Sequence, residues 1–399
     1  MRILFIGQVV PEERVSSCTG YSVAGDMMQK NIVRELQGKN NVEITIISAL
    51  PNASFPADKF WIQGEIDTYK GIIIKNISYI NILGVKQMFQ ENMIYREAFR
   101  QATLKKFDVV ICYNMYPQFG NAAIKLSKKL NIPLIAILAD LPLESIKTYK
   151  GINKLLFIPL KRRTMKNISQ LEHGVVLNEN VKHYMKSDAD YVVVPGGIDI
   201  DEKPSLTKNK IQKKKIVYAG ALSQYSGIMN LIDAVNTLDI PDIYLEIYGS
   251  GQLKNEIEEI AKRNYKIRYM GTKNLDEMRK IMEKAWILVN PRVVDDPISA
   301  VTFPSKVFEY IMCRRPVITT EFKGMPEDIK KITIECGAGS PQEIKKAIGK
   351  VNALSEEEID DLTQNAYDYV KNNISWEKQG ERIYKYINQI IGEEDEKNR

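Results

Sequence analysis

The sequence predicts two doubly wound α/β domains in series, each a parallel sheet with helices on both faces. Short apolar strands alternate with helical segments from the first residues onward, which is the pattern of a parallel sheet. Apolar runs such as residues 133–139 lack the alternation of a half-exposed strand, as expected for burial on both faces. The alternation restarts after a polar, Lys-rich segment at residues 196–214, and a chain of 399 residues is too long for one ordinary core.

The first predicted domain spans residues 1–195. Its helices are expected at residues 21–36 and 120–130. Its strands are expected at residues 2–7, 42–48, 108–113, 133–139, 174–177 and 191–194. The pattern is weakest in residues 53–101.

The second predicted domain spans residues 215–372, after a linker at residues 196–214, and a final helix occupies residues 373–399. Strands are expected at residues 215–219, 244–248, 266–270, 285–290 and 317–320. Helices are expected at residues 228–238, 252–263 and 275–283, with another after Ser305. The turns that follow these strands carry Gly or Ser, where backbone can approach a ligand closely.

Composition excludes several classes of protein. No apolar run approaches the roughly 18 residues of a membrane span. The chain enters a strand at once, with no signal-peptide pattern, so we expect a cytoplasmic location. Four cysteines without CxxC spacing and two histidines disfavour a disulfide framework, a zinc site or a metal hydrolase.

Positive charge is concentrated in the first half of the chain. Residues 1–195 hold 25 Lys and Arg against 17 Asp and Glu, whereas the whole chain carries +6. An excess of this sign suits a phosphorylated acceptor, a membrane surface or nucleic acid. No RNA-binding or helix-turn-helix signature is present, so we expect no nucleic-acid partner.

Residues 290–320 predict an anion site. An apolar strand is followed by a loop with Asp295, Asp296 and two prolines, and then by a helix whose N-cap position falls on Ser305. Free backbone N–H groups and the helix dipole attract an anion there, and Lys306 adds a full charge. Glu309, one turn on, can accept hydrogen bonds from the vicinal hydroxyls of a ribose. Phosphate and ribose together indicate a nucleotide.

The same stretch resembles the nucleotide-sugar site of retaining glycosyltransferase family 4 and its relatives with the GT-B fold. One branch carries a PSK-x-x-EY segment followed by a PVI strand. The matching residues here are Pro304, Ser305, Lys306, Glu309, Tyr310, Pro316, Val317 and Ile318. The resemblance implies two Rossmann-like domains facing a cleft, with the final helix, marked by Trp376, crossing back to the first domain.

The resemblance also implies a donor site on the second domain. Its expected residues are Gly220, Ser223, Gly249, Thr272, Asn274, Arg292, Ser305, Lys306 and Glu309. Ser305 and Lys306 would hold the diphosphate, with Lys306 serving catalysis and Arg292 as a second cation. The turn with Thr272 and Asn274 would read the base. For any single glycine, simple closure of a tight turn is the alternative explanation.

On the first domain the resemblance implies an acceptor side. Gly20 and Tyr21 stand at the first strand–helix junction, and Asp140 ends a buried strand. Asp140 would orient the acceptor hydroxyl or a sugar hydroxyl, with a helix N-cap as the alternative role. The resemblance implies no side-chain nucleophile. In such enzymes the leaving phosphate oxygen is thought to take the acceptor's proton.

Three positions depart from the family pattern. Many members carry Arg and Lys where this chain has Ala221 and Ser226, and a first Glu where it has Val301. These departures motivate an alternative, namely a non-catalytic GT-B protein that binds or stabilises a partner transferase or a glycosylated substrate. A nucleotide-sugar epimerase is disfavoured by the scarcity of histidine.

The expected partners are a nucleotide sugar and a lipid-linked or oligosaccharide acceptor. Residues 145–171 hold seven basic and no acidic residues around the apolar strip at 155–158, which predicts an interfacial segment on the inner membrane surface. A solvated basic face is the alternative. The predicted reaction transfers a hexose or N-acetylhexosamine from UDP, with retention, in capsule or exopolysaccharide synthesis. No cofactor or metal is expected, because Asp295 and Asp296 are adjacent rather than alternating.

Overall fold

A computed structural model describes residues 1–143, 152–200, 214–294 and 297–397. The chain divides into two compact units, residues 1–196 with 376–399, and residues 197–375. Most of the predicted linker, at residues 201–213, lies outside the described residues, as do Asp295 and Asp296.

The first unit has ten described strands, eight of which form one sheet with helices on both faces. Its strands are β1 Arg2–Gly7, β2 Glu43–Ser48, β3 Trp61–Ile62, β4 Ile66–Tyr69, β5 Ile72–Asn76, β6 Tyr79–Ile80, β7 Val109–Tyr113, β8 Leu134–Leu138, β9 His173–Val176 and β10 Asp190–Val193. Its helices are α1 Val23–Gln37, α2 Lys86–Leu104, α3 Pro117–Leu130, α4 Ile152–Ile168 and α12 Trp376–Lys397.

The strand order of this sheet is β10-β9-β8-β7-β1-β2-β5-β4. Only β4 runs antiparallel to its neighbour among the described strands of the sheet, and the short β3 and β6 pair separately. Helices α2, α3 and α4 pack side by side, whereas α1 packs on α12. Because successive strands leave β1 in opposite directions, a switch point lies between β1 and β7.

The C-terminal helix belongs to the first unit, as predicted. Gly380 of α12 approaches Glu35 of α1 so closely that an added Cβ would lie 2.4 Å from the Glu35 Cβ. The Tyr386 hydroxyl donates to the Asp190 carbonyl at 2.9 Å and accepts from the Gly174 N–H at 3.1 Å. The buried face of α12, including Trp376, joins the same core as β1 and β9.

The second unit is a six-stranded parallel sheet. Its strands are β11 Lys215–Ala219, β12 Tyr244–Tyr248, β13 Ile267–Tyr269, β14 Ile287–Asn290, β15 Val317–Thr319 and β16 Ile334–Glu335. Its helices are α5 Ile228–Asn236, α6 Lys254–Arg263, α7 Leu275–Met282, α8 Lys306–Met312, α9 Glu327–Lys331, α10 Pro341–Ala353 and α11 Glu356–Asn373. The order β13-β12-β11-β14-β15-β16 puts its switch point between β11 and β14.

The predicted fold class, two doubly wound Rossmann-like domains, is confirmed. Predicted strands in both units agree with the observed ones to within about two residues. Among the described residues, no helix combines the length and the apolar character that crossing a membrane requires.

Candidate functional site

The loops of the second unit converge at its switch point. Four strands, β11, β12, β13 and β14, end at one edge of the sheet because they run parallel. Ligands of open α/β sheets bind at this edge, where neighbouring strands turn in opposite directions. Gly220 follows β11 and Arg292 lies just beyond β14, so two of the predicted donor residues flank the switch point itself.

The glycines of these loops pack against one another. Gly249 has φ +135°, and an added Cβ would lie 1.8 Å from the Gly220 carbonyl oxygen. Gly227 has φ +68°, with the Pro291 carbonyl oxygen 1.7 Å from its added Cβ. Such contacts exclude any side chain. Tight packing between neighbouring loops therefore explains why residue 249 is a glycine. This is a structural explanation, like the turn closure that the sequence left open as an alternative to ligand binding.

Tyr310 fastens helix α8 to the end of β11. Its hydroxyl donates to the Ala219 carbonyl at 3.0 Å and accepts from the Ala219 N–H at 3.0 Å. The side chain is 1% exposed, and burial raises the pKa of the phenol. The sequence pointed to Tyr310 only as part of the family motif. A buried tyrosine usually needs a hydrogen-bond partner, and that rule could have identified this role.

Lys306, one turn before Tyr310, lies against Gly220. A Cβ on Gly220 would come within 2.6 Å of Lys306 Nζ, so the ammonium group occupies space that a side chain at this position would need. Burial lowers the pKa of Lys306, and the nearby Glu309 carboxylate partly offsets this effect. Within the described part of the chain, Lys306 Nζ has no hydrogen bond or ion pair. An incompletely hydrated cation without a partner favours an incoming anion.

Glu309 stands three residues after Lys306 on the same side of α8. Its side chain reaches solvent, yet burial raises the pKa of the carboxyl group, partly offset by the charge of Lys306. No hydrogen bond to the Glu309 carboxylate is found among the described residues. The structure thus brings Gly220, Lys306 and Glu309 together, with the cation and the carboxylate both available to a ligand.

Two predicted donor residues, Ser305 and Asn274, stand at the N-cap positions of helices. Ser305 occupies the N-cap position of α8 as predicted, but it has helical φ/ψ and its side chain makes no capping hydrogen bond. Asn274 forms a capping box with Glu277 at the start of α7, accepting from the Glu277 N–H at 2.9 Å. Thr272, in the same turn, is exposed.

Arg292 and Ser223 lie in the loops beside the switch point. Arg292 Nη2 donates to Thr302 Oγ1 at 3.1 Å, and the Arg292 carbonyl accepts from Thr320 Oγ1 at 2.8 Å. The Ser223 carbonyl accepts from Ser226 Oγ at 2.6 Å. The Ser223 hydroxyl does not cap the short turn that follows it.

The positions that depart from the family pattern are accommodated locally. Val301 is 1% exposed and belongs to the interior. The Ala221 carbonyl accepts from the Tyr218 hydroxyl at 2.8 Å, and Ser226 bonds within its own turn. These residues therefore supply no charge at the switch point.

On the first unit, Asp140 follows β8 and is exposed. Its N–H and that of Ala139 both donate to Asn114 Oδ1 at 3.0 Å. Residues 141–143 are not helical, so Asp140 does not cap a helix in that described stretch. Asn114 has φ +51° and is 4% exposed. Sequence analysis missed this residue, and a buried Asn directly after a strand is the signal for it.

The first strand–helix junction is fixed by a buried carboxylate. The Tyr21 hydroxyl donates to Asp26 at 2.9 Å, which together with burial raises the pKa of Tyr21 to about 12. Asp26 also accepts from the Val10 N–H at 2.8 Å and pairs with Lys30 at 2.7 Å. The Gly20 N–H donates to the Pro51 carbonyl at 2.9 Å. Tyr21 is thus held in place by Asp26, which the sequence did not single out.

The basic segment at residues 145–171 is corrected in one respect. Phe157, in the middle of its apolar strip, is buried in the unit and unavailable to a membrane. Arg162, Arg163 and Lys166 are exposed on α4. Residues 144–151, with Lys147 and Lys150, lie outside the described residues. The described basic side chains of the segment therefore lie on the surface, as the interfacial prediction requires, whereas Phe157 does not.

Metal ligands can be assessed among the described residues. No group of three or more His, Cys, Asp or Glu side chains is placed there to hold one metal ion.

Comparison with known proteins bears on the second unit and on the fold. Residues 213–353 match the sequence model of the family described as glycosyl transferases group 1. No protein of curated function matches the sequence.

Several solved structures share the fold of the whole chain. Anabaena HepE, solved in complex with UDP, is 14% identical, with a TM-score of 0.64 over 98% of this chain and 100% of that chain. The catalytic domain of starch synthase IV from Arabidopsis thaliana, bound to ADP and acarbose, is 10% identical, with a TM-score of 0.66 over 98% and 99%.

The pneumococcal O-GlcNAc transferase GtfA, in complex with UDP and GlcNAc, is also similar. It is 12% identical, with a TM-score of 0.61 over 98% of this chain and 99% of that chain. At such identities the likeness establishes the fold. The predicted resemblance to glycosyltransferases of the GT-B type is confirmed, and the sequence match places the glycosyltransferase signature in the second unit.

Proposed function

We propose that the protein is a glycosyltransferase that uses a nucleotide sugar, with UDP as the carrier. The observation that carries the proposal is the Lys306 ammonium group against Gly220 at the switch point of the second unit, with the Glu309 carboxylate one turn away. Neither group has a hydrogen bond or ion pair to another described residue. The group 1 match over the same unit supports it. HepE and GtfA were each solved with UDP, and this favours UDP over other carriers.

The proposed roles follow from charge and hydrogen-bonding capacity. Lys306 binds the diphosphate and stabilises the charge that develops on it as the sugar departs. Glu309 accepts hydrogen bonds from the ribose hydroxyls. The bond between the anomeric carbon and the diphosphate breaks, the acceptor oxygen bonds to that carbon, and the acceptor's proton passes to the diphosphate oxygen. We propose retention of configuration and a donor carrying a hexose or N-acetylhexosamine.

The acceptor side of the proposal rests on the first unit. Asp140 is exposed at the end of β8 on a backbone held by Asn114, a position suited to orienting a hydroxyl group. We propose a lipid-linked glycan as the acceptor, in the synthesis of a surface polysaccharide at the inner face of the membrane. The net positive charge of residues 1–195 supports an acceptor that bears phosphate.

Calorimetry without added metal tests the donor site. UDP, ADP and GDP are titrated into the wild type, Glu309→Ala and the control Glu357→Ala, which alters an exposed carboxylate of α11. We expect UDP to bind best, Glu309→Ala to weaken it and Glu357→Ala to leave it unchanged. Absence of binding by all three nucleotides would refute the proposal. Binding of ADP alone would keep the transferase and change the carrier.

A second candidate is a non-catalytic protein of the same fold. It is favoured by Ala221, Ser226 and Val301, which replace two cations and a carboxylate of the family pattern. Release of UDP from a panel of UDP-sugars, measured with and without a membrane extract as acceptor, separates the two. Nucleotide binding without release of UDP under any condition would favour the non-catalytic protein.

A further inference from the structure

The first unit exposes a concentrated set of large apolar side chains. Eight of the 17 such side chains exposed in the described residues fall within two short segments, at residues 55–61 and 82–89. They are Phe55, Phe60, Trp61, Ile82, Leu83, Val85, Met88 and Phe89. We name this set the apolar surface. Contiguous exposed apolar side chains on a soluble unit indicate a surface for binding.

These side chains belong to one ordered platform. The rings of Phe55 and Phe60 meet edge to face with centroids 6.0 Å apart. The Phe55 N–H donates to the Asn81 carbonyl at 2.8 Å, and the Asn81 N–H donates to the Phe60 carbonyl at 2.7 Å. Trp61 pairs with Ile80 between β3 and β6. The two segments are therefore tied together by backbone hydrogen bonds.

Asn81 fixes this platform from inside. It is fully buried, and its Nδ2 donates to the carbonyls of Ala53 at 2.6 Å and Lys59 at 3.0 Å. From there the chain leads directly into α2, whose first turns carry Met88 and Phe89. The apolar surface thus includes the start of a 19-residue helix, which gives it a rigid support.

The basic end of α4 lies in the same row of helices as the start of α2, with α3 between them. Asn121 of α3 donates to Glu91 of α2 at 2.8 Å and accepts from Asn167 of α4 at 2.8 Å. This bridge places the last turns of α4 level with the first turns of α2, with the start of α3 between them. Arg162, Arg163 and Lys166 are exposed on those last turns of α4.

Positive charge outweighs negative charge at this face, where Lys and Arg outnumber the carboxylates of Asp58 and Glu91. Lys59, Arg162, Arg163 and Lys166 have no ion pair within the described part of the chain. The carboxylate of Asp58 accepts hydrogen bonds from Thr19 and Asn52. Glu91 is held by Asn121, and Lys86 donates to the Asn52 carbonyl at 2.7 Å. The face therefore combines an apolar centre with a cationic border.

We propose that this face docks on an anionic lipid bilayer. Trp and Phe side chains favour the interface between headgroups and acyl chains, and Lys and Arg bind anionic headgroups. A protein partner would need matching carboxylates, whereas a bilayer supplies negative charge over any area. The inference adds a lipid partner to the proposed function, but it does not require glycosyl transfer. The apolar contact comes from β3, β6 and α2, and the exposed cations Arg162, Arg163 and Lys166 of α4 contribute charge.

Trp61 gives a direct readout. It is 47% exposed, whereas Trp376 is 7% exposed and Trp286 is partly buried in the second unit. The vesicles contain phosphatidylcholine with about 30% phosphatidylglycerol, which gives a surface like that of an anionic leaflet. Adding them should shift the tryptophan emission of the full-length protein to the blue. Trp61→Phe should abolish the shift without abolishing flotation with the vesicles.

Flotation with the same vesicles measures docking itself. Leu83→Asp with Met88→Asp should weaken partitioning by on the order of tenfold or more, because apolar burial and charge exclusion both act there. Leu104→Asp is the matched control, since Leu104 is 69% exposed at the other end of α2. Arg162→Glu with Arg163→Glu should weaken binding most at low salt and least at high salt.

The outcomes separate the lipid from other occupants. No flotation of the wild type, or equal loss with Leu104→Asp, would overturn the proposal. So would concentration-dependent self-association of the wild type that Leu83→Asp with Met88→Asp removes, because the surface would then join two copies of this chain. UDP binding measured on the same variants reports on the second unit, so a failed donor site and a failed lipid surface are told apart.

Discussion

Replacing Lys306 with methionine tests the core of the proposed donor site. The methionine side chain matches the apolar stem of lysine in length and lacks the ammonium group. In the free protein that group lies against Gly220, is incompletely hydrated and has no partner in the described residues. Its removal should therefore leave the stability of the second unit about unchanged, because the lost attraction to Glu309 is offset by relief of the cost of burying the ammonium group.

The effect on nucleotide binding should be large by comparison. A hydrogen bond between charged groups contributes about 1.5–3 kcal/mol, which corresponds to roughly a 10- to 150-fold change in Kd. Burial around Lys306 Nζ weakens its interaction with water, so the value should fall toward the upper end. We expect Lys306→Met to weaken UDP binding by about 50-fold or more, within that range.

Calorimetry at low and at moderate salt measures this change, and thermal unfolding without ligand measures stability. Lys350→Met is the matched control, because Lys350 is an exposed lysine on α10 of the same unit. The wild type and the control should show a similar Kd. If Lys306→Met bound UDP as tightly as Lys350→Met, the ammonium group would not contact the diphosphate and the assigned role would be wrong.

Three further outcomes follow from the same contacts. Burial raises the pKa of Glu309, so UDP affinity should fall as pH drops through a value above the usual range of a glutamate, and Glu309→Gln should remove this component of the pH dependence. Gly249→Ala should lower the free energy of unfolding by about 3 kcal/mol, because the new Cβ meets the Gly220 carbonyl at a positive φ. Asp26→Asn should cost about 3–5 kcal/mol, since it leaves Lys30 buried without its partner.

Each of these outcomes has a control. UDP itself titrates, so the pH series for Glu309→Gln supplies the ligand's own contribution, and identical profiles for both proteins would contradict the assignment. Gly271→Ala is the control for Gly249→Ala. Gly271 has φ +72° with open space around an added Cβ, so this substitution should cost only about 1–2 kcal/mol of backbone strain. Denaturant unfolding compares the two glycines. For Asp26→Asn, adding Lys30→Met should recover much of the loss, and no recovery would argue against an ion-pair effect.

The fold class could be predicted from the sequence because the apolar pattern of the strands and the polar segment between the two domains are local signals. Strands buried on both faces, such as β8, read as unbroken apolar runs, and helices between them fix a parallel order. Residues 53–101 were not assigned, since β3, β4 and β6 have only two to four residues each. Such strands depend on partners distant in sequence, and their propensity alone is too weak to predict them.

The site was partly predictable for a related reason. Lys306 and Glu309 could be named because their spacing along one helix is fixed by the helix itself. The contact between Lys306 and Gly220 could not, because it depends on how α8 crosses the end of β11. The hydroxyl of Tyr310, bonded twice to Ala219, sets that crossing. Glycine patterns were the least informative about binding residues. Gly249, for example, is required for the packing of two loops, as its contact with Gly220 shows.

The replacement of the family's cation pair need not remove the charge that a departing diphosphate requires. Ala221 and Ser226 lie in a loop whose hydrogen bonds are satisfied internally, so this loop is ordered without a ligand. Positive charge reaches the same strand end from α8, through Lys306 above Gly220. A guanidinium group is planar and larger than an ammonium, so Lys306→Arg should bind UDP less well than the wild type despite its equal charge. Full binding by Lys306→Arg would show that charge alone matters there and that the close approach to Gly220 has no functional part.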